Sequence, residues 1–437
     1  MELYLTTPDR QSLLTRKADV QWRTPQRGLA EINVDVNKKL QPFLGVGAAL
    51  TDSSAFLLMR CMSDATREET LRALFSPAPG AGFSVIRICI GASDFNHSGS
   101  YTYCDYPDPS LRMFSIHREQ ECLIPLIKDI IRINPHLRII ASPWSAPAWM
   151  KTNNSLNGGW LAQEHYDTYA GYFVKYIDAM HREGITIDYI TPQNEPRHND
   201  DRYPSMRMEP SDQARFIGKY LGPTLRKAHI RTKILCWDHN WDMMDFPMGV
   251  LADADARKYT AGAAFHAYAG EPSAQAQVQK AYPEQEIHFT ESSGGFWATD
   301  FGGNIRWDLT NPILGSIRYG ARTSLKWNLV LDENRGPQNG GCDNCRGIVT
   351  YNRKTGAITR NEEFYAFGHV GAFVRRGAHV VASSVIDGIP SAVFLNSDGG
   401  RVLVTCSEQA RRIQVIDGKR SAQINIPAGS AVTLTWR

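Results

Sequence analysis

The chain has 437 residues, 42% of them hydrophobic, with 48 basic and 45 acidic side chains and a formal net charge of +3. Balanced charge without Lys/Arg blocks excludes an electrostatic footprint for nucleic acid, and no run of about 18 apolar residues offers a membrane-spanning helix. The length exceeds one ordinary domain and fits a large barrel with a small module attached.

The first residues, Met1-Glu-Leu-Tyr-Leu-Thr-Thr-Pro-Asp-Arg10, lack a basic start followed by an apolar core of roughly 7–15 residues, so no secretory signal is read. The expected location is the cytoplasm, unless a leader was removed. Residues 28–36 alternate in polarity and are expected to add edge strands to a β-module.

Eight strand-like runs follow, at 43–47, 83–91, 137–143, 187–192, 233–237, 261–268, 286–290 and 324–331. Between them, 54–75, 118–133, 164–183, 211–228 and 305–319 place apolar residues three and four apart, the spacing of an amphipathic helix. Several strand runs are apolar throughout, as parallel strands buried on both faces must be. Eight alternations predict an α/β chain folded as a (β/α)8 barrel over 41–369. From Gly377 the pattern changes to short alternating strands broken by turn clusters such as Asn396-Ser-Asp-Gly-Gly400. The expectation is a β-sandwich built from 1–40 and 370–437.

A (β/α)8 barrel carries its active site where the strands end at their C-terminal face. Polar and aromatic residues gather there: Asp52, Arg87, Ser93-Asp94, Trp144, Asn194-Glu195, Trp237-Asp238-His239-Asn240, His266-Ala-Tyr268, Glu291 and Trp327-Asn328. Carbohydrate sites need this mixture, because aromatic faces stack on sugar C–H surfaces while Asp, Asn and His bond to hydroxyls. Glu195 and Glu291 each close an apolar run. A glycosidase needs such a pair, one carboxyl that donates a proton to the leaving oxygen and one that stays ionised beside the oxocarbenium charge.

The segments Gly45-Val-Gly-Ala-Ala-Leu-Thr-Asp52, Tyr101-Thr-Tyr-Cys-Asp105, Ala141-Ser-Pro-Trp-Ser-Ala-Pro-Ala-Trp-Met-Lys-Thr-Asn153, Thr191-Pro-Gln-Asn-Glu-Pro196 and Trp327-Asn-Leu329 resemble glycoside hydrolase family 30, the glucosylceramidase family, over nearly the whole chain. The resemblance implies a retaining mechanism with Glu195 as acid/base and Glu291 as nucleophile. It also implies that Asp52, Trp144, Asn194 and Trp327 line the glucosyl subsite, that Arg87 holds the nucleophile, and that His266 and Tyr268 stand beside it. No metal or organic cofactor is expected. The implied activity is exo-hydrolysis of β-linked glucose from a carbohydrate or a glycolipid, with ceramide or a second sugar as leaving group. A β-xylosidase or β-fucosidase on the same fold, or a catalytically silent sugar-binding protein, are the competing readings. The sequence assigns no oligomeric state.

Several residues admit a plainer role. Asp52 also suits a helix cap, Arg87 a structural ion pair, His266 a scaffold hydrogen bond, and Trp327 packing. Trp237, His239 and Asn328 are weaker site candidates. Cys342-Asp-Asn-Cys345 reads as a loop-tightening disulfide or reduced thiols, as part of a subsite-lining loop, or as half of a metal site. The family's animal members have a second aromatic where this chain has Ala267, and 339–346 look more like members acting on β-1,6-glucans. Those departures put a ceramide leaving group in doubt.

Overall fold

The computed structural model describes residues 1–437. Eight parallel strands pair in chain order: Gly45–Ala49, Val85–Cys89, Arg138–Ser142, Tyr189–Ile190, Lys233–Asn240, Thr260–His266, Glu286–Glu291 and Thr323–Lys326. The last pairs with the first in parallel register. A parallel bridge from Ile287 to Ala321, with Arg322 N donating to Ile287 O at 2.8 Å, brings the seventh strand against the entry to the eighth.

All eight expected strands are present, with shifted ends. The fourth is only two residues long, because Pro192 has no N–H for the ladder. The eighth stops at Lys326, since Trp327 N turns to Ser292 O at 2.8 Å; the Val330–Asp332 part of that run instead pairs in a separate three-stranded sheet. The fifth runs on to Asn240.

The expected helices are also present but interrupted. Residues 54–75 become Asp52–Phe56, a wide turn at Leu57–Cys61 and a second helix, Asp64–Phe75, capped by Ser63 Oγ accepting from Thr66 N. A cluster of 90 buried residues fills the space between strands and helices. Inside the barrel, Val85, Ile140, Tyr189, Leu235, Ala264 and Leu325 form one apolar layer.

The terminal segments build a ten-stranded, mostly antiparallel sheet, curled around 14 buried residues that include Ile32, Val393, Leu403 and Leu434. The two layers of the expected sandwich are facing parts of this one continuously hydrogen-bonded sheet. The N-terminal segment lies deeper than expected. Ala30–Pro42 is an internal strand, antiparallel to His379–Ser383 and parallel to Arg411–Asp417, because its 13 residues are long enough to pair on both sides.

This sheet meets the barrel at His369, on the helix Glu362–Gly371. The buried imidazole sits 2.8 Å from Thr433 Oγ1 and 2.9 Å from Thr6 Oγ1. Burial pushes it down to about 3, so it is uncharged at neutral pH. No helix is long and apolar enough to cross a membrane.

Candidate active site

Side chains on a strand alternate between its faces, so the residue two places on returns to the barrel interior. Two places beyond Val85, Ile140, Tyr189, Ala264 and Leu325 of the apolar layer stand Arg87, Ser142, Thr191, His266 and Trp327. The hydrophobic floor therefore carries a polar storey directly above it.

Strand five breaks this rhythm. Trp237 and Asp238 both have φ of +72°, and the pairing with strand six slips between Ala264 and Phe265. Such a bulge re-aims side chains. Asp238 enters the barrel, while Trp237 goes outward and packs 4.4 Å from Phe246 with no exposed surface. Trp237 is a core residue and not the subsite residue the sequence suggested.

Asp238 is the hub of the polar storey. One carboxylate oxygen accepts from Arg87 Nη2 at 2.7 Å, Ser142 Oγ at 2.8 Å and Thr191 Oγ1 at 2.8 Å. The other accepts from Thr290 Oγ1 at 2.7 Å and from His266 Nε2 at 3.0 Å. Burial disfavours its charge, but Arg87 and His266 outweigh burial and hold the carboxyl well below the ordinary range.

Arg87, fully buried, reaches Glu291 Oε2 at 2.5 Å with Nη1 and shares Nη2 between Asp238 and Asn194 Oδ1 at 2.7 Å. Asn194 thus has its acceptor occupied by the protein and keeps its amide hydrogens to offer. The Tyr268 hydroxyl donates to Glu291 Oε1 at 2.9 Å. His266 Nδ1 lies 3.0 Å from Glu195 Oε1, and His239 Nε2 lies 3.6 Å from the same oxygen. Glu195 itself is held at φ +46°, its N–H donating to Asp238 O at 3.0 Å.

One oxygen from each of Glu195 and Glu291 and one nitrogen of His266 lie within 4.8 Å of one another. The same three residues are the donor set that could gather a cation. To do so they would give up existing partners, because His266 spans two carboxylates and Glu291 is held by Arg87 and Tyr268.

The charges are finely set. Burial opposes ionisation of His266, yet Glu291 and the bonds to Asp238 and Glu195 raise it to about 9, so it is a cation at neutral pH. Burial lifts Glu291 above its ordinary value, with Glu195 and Asp238 adding to the lift against His266 and Arg87. Burial acts upward on Glu195 too, but the charges of His239 and His266 draw it down to about 2. Burial also lowers His239, so that ring is uncharged at neutral pH and its hold on Glu195 is confined to acid. Three carboxylates then face two cations, Arg87 and His266, and a single proton cancels the excess charge.

Trp144 and Trp327 stack on each other at 5.1 Å, with the Arg87 guanidinium 4.9 Å from the Trp144 ring. Both are nearly buried and form the wall behind Arg87. Cys342 and Cys345 form a disulfide packed against this wall. Asn328 is fully buried with neither amide atom partnered.

Asp52 is not joined to the cluster. Thr51 caps the helix, and Asp52 Oδ1 accepts from the backbone N of His97 at 2.8 Å and pairs with its ring at 2.6 Å. The carboxylate that instead feels both glutamates is Asp94, which burial and the charges of Glu291 and Glu195 raise well above the ordinary range. Asp94 and Asp238 are two carboxylates beside the glutamates that sequence reasoning left out of the site. Both stood among the strand-end residues, and only their burial among like charges singles them out.

The model of the glycosyl hydrolase family 30 TIM-barrel domain matches residues 43–374. The chain belongs to glycoside hydrolase family 30. Among its family relatives, endo-1,6-β-D-glucanase BGN16.3 of Trichoderma harzianum is 32% identical over 425 residues, covering 90% of this chain and 84% of that one. The lysosomal acid glucosylceramidase of Mus musculus is 28% identical over 410 residues, covering 87% and 78%. Among solved structures, the endo-β1,6-glucanase BT3312 superposes with a TM-score of 0.93 at 36% identity, covering 100% of this chain and 99% of the other. SrfJ from Salmonella typhimurium gives 0.93 at 32% identity and the same coverage.

Proposed function

We propose that this family 30 enzyme hydrolyses β-1,6-linked glucan with retention of anomeric configuration, using Glu291 as nucleophile and Glu195 as acid/base. The observation that carries the mechanism is the approach of the two carboxylate oxygens to within 4.8 Å. Retention needs carboxyls roughly 5–5.5 Å apart, whereas inversion needs about 6.5–9.5 Å to admit a water. Arg87 and Tyr268 each donate to Glu291, which favours its charged, attacking form.

In the first step a Glu291 oxygen bonds to the anomeric carbon as the glycosidic C–O bond breaks, and the single proton shared by the coupled carboxylates, which sits on Glu195 whenever Glu291 is the attacking anion, passes to the departing oxygen. The negative charge of Glu291 is lost in the ester, so Glu195, now anionic, takes a proton from the water that cleaves the ester. Asn194 and Asp94 offer a donor and an acceptor to sugar hydroxyls.

The β-1,6 linkage and cleavage within the chain, in place of the exo action first expected, draw support from the endo-1,6-β-glucanase names of relatives at 32% and 36% identity, matched over 90% or more of this chain's length. Product sizes from a linear β-1,6-glucan test both points: early oligosaccharides of mixed length support internal cleavage, and glucose alone supports exo action. Glucosylceramide is the second reading, favoured by Phe296 and Trp297, which are 48% and 56% exposed in the loop after strand seven; kcat/KM on it, set beside gentiobiose, separates the two. Glu195→Ala should slow substrates with poor leaving groups by about 10²–10⁴-fold and activated aryl glucosides far less. Uniform loss across leaving groups would remove Glu195 from the acid role.

A further inference from the structure

A cavity of about 690 Å³ opens between the loops that follow strands three and four, within the roughly 300–1,000 Å³ of small-ligand sites. Its wall is continuous with the catalytic loop. Met208 N donates to Pro196 O, the residue after Glu195, and Arg207 N donates to Gly159 O, both at 2.8 Å.

Trp160 is 36% exposed at this cavity. The Arg207 guanidinium stands 5.1 Å from its ring centroid and holds it in place. The Lys151–Leu161 bridge presents it, with Trp160 N donating to Thr152 Oγ1 at 3.2 Å. Gly159, at φ +75°, has the Asn153 amide 2.4 Å from where a Cβ would lie, so the chain can pass here only as glycine. Beneath, Lys151 Nζ donates to Ser145 Oγ, Leu156 O and Ser205 O at 2.9, 2.8 and 2.7 Å, fastening both loops to one point. The aromatic ring thus sits on rigid backbone.

The polar groups around it are unspent. Gln163, Glu164 and His165 line the cavity, and their side chains form no hydrogen bond within the protein. An indole beside an amide, a carboxylate and an imidazole matches a pyranose, which shows one C–H surface and a ring of hydroxyls.

We infer that this cavity is a second saccharide-binding site, holding a glucosyl unit of a chain whose scissile bond lies between Glu195 and Glu291. The inference rests on the β-1,6-glucan reading above and extends it from the bond cleaved to the length of chain engaged.

The test is calorimetric binding of β-1,6-linked gluco-oligosaccharides, from the disaccharide upward, to Glu291→Gln protein carrying Trp160→Ala or, as a surface change that spares the fold, Gln163→Ala with Glu164→Ala. Long oligosaccharides should lose about tenfold in affinity, and the disaccharide much less. Equal losses at every length, or no loss with the long ligands, would overturn the assignment while wild-type cleavage of β-1,6-glucan leaves the substrate reading standing. Failure of wild type to cleave that glucan overturns the substrate reading instead. Retained Trp160-dependent binding of the same oligosaccharides would then still support the cavity.

Discussion

Strand seven carries a glutamate at each end, and the two have opposite fates. Glu286, at the N-terminal mouth of the barrel, meets Lys233 Nζ at 2.7 Å, Arg322 Nη1 at 2.8 Å and His288 Nε2 at 3.1 Å. Burial opposes its charge, but His288, Lys233 and Arg322 overcome burial and hold the carboxyl well below its ordinary value. Glu291, five residues on, shares its one guanidinium with Asp238 and faces a second glutamate, and it lies above its ordinary value. Same strand, same side chain and similar burial give a structural ion pair at one end and a reactive carboxyl at the other. The deciding quantity is the number of cations per carboxylate, not the presence of a partner.

The largest expected effect is a split between the two ends. Glu291→Gln should reduce kcat on an aryl β-glucoside by on the order of 10⁴-fold or more, whereas Glu286→Gln should show its loss in thermal midpoint with turnover per folded molecule kept. If the two variants lose activity alike, the contrast between the ends is wrong. Next comes Asp238→Ala, which strands Arg87 and His266 without their shared anion. A loss of about 3–5 kcal/mol in denaturant-derived stability is expected; an unchanged midpoint would remove Asp238 as the hub.

The joint between the β-sheet module and the barrel provides a third region to set against these ends. His369 is uncharged when folded down to about pH 3 but takes up a proton near pH 6.5 when unfolded. Between those values the unfolded chain binds more protons, so this histidine's contribution is fully present above about pH 6.5 and falls by about 1.4 kcal/mol per pH unit below it. Unfolding free energies at pH 7 and pH 5 should differ more in the wild type than in His369→Gln, and parallel slopes would exclude the effect. Smallest is Trp237→Phe, expected to cost about 1–3 kcal/mol in stability with no selective loss of glucan turnover. A selective loss would return Trp237 to the subsite.

Much of the fold was legible because its signals are local. Eight apolar runs divided by three-and-four spacing specify a barrel whatever the contacts are, and Glu195 and Glu291 stand out because each closes such a run. Strand ends were less legible, since Pro192 acts by withholding a hydrogen bond from a neighbouring strand and Trp327 by giving one to Ser292. The different settings of Asp52 and Asp94 were hidden for a related reason. Both follow a barrel strand, but His97 occupies the first while the second is left among negative charges.

Alone, the order of residues determined the barrel, its attached β-module and the two glutamates, because periodicity and strand-end position are properties of neighbours in the chain. Only the tertiary structure decided that Asp238 turns inward while Trp237 turns out, that Arg87 is divided between two acids, and that Ala30–Pro42 runs inside its sheet. Those outcomes depend on a bulge, a charge balance and a two-sided pairing, each of which exists only when separate segments of the chain are brought together.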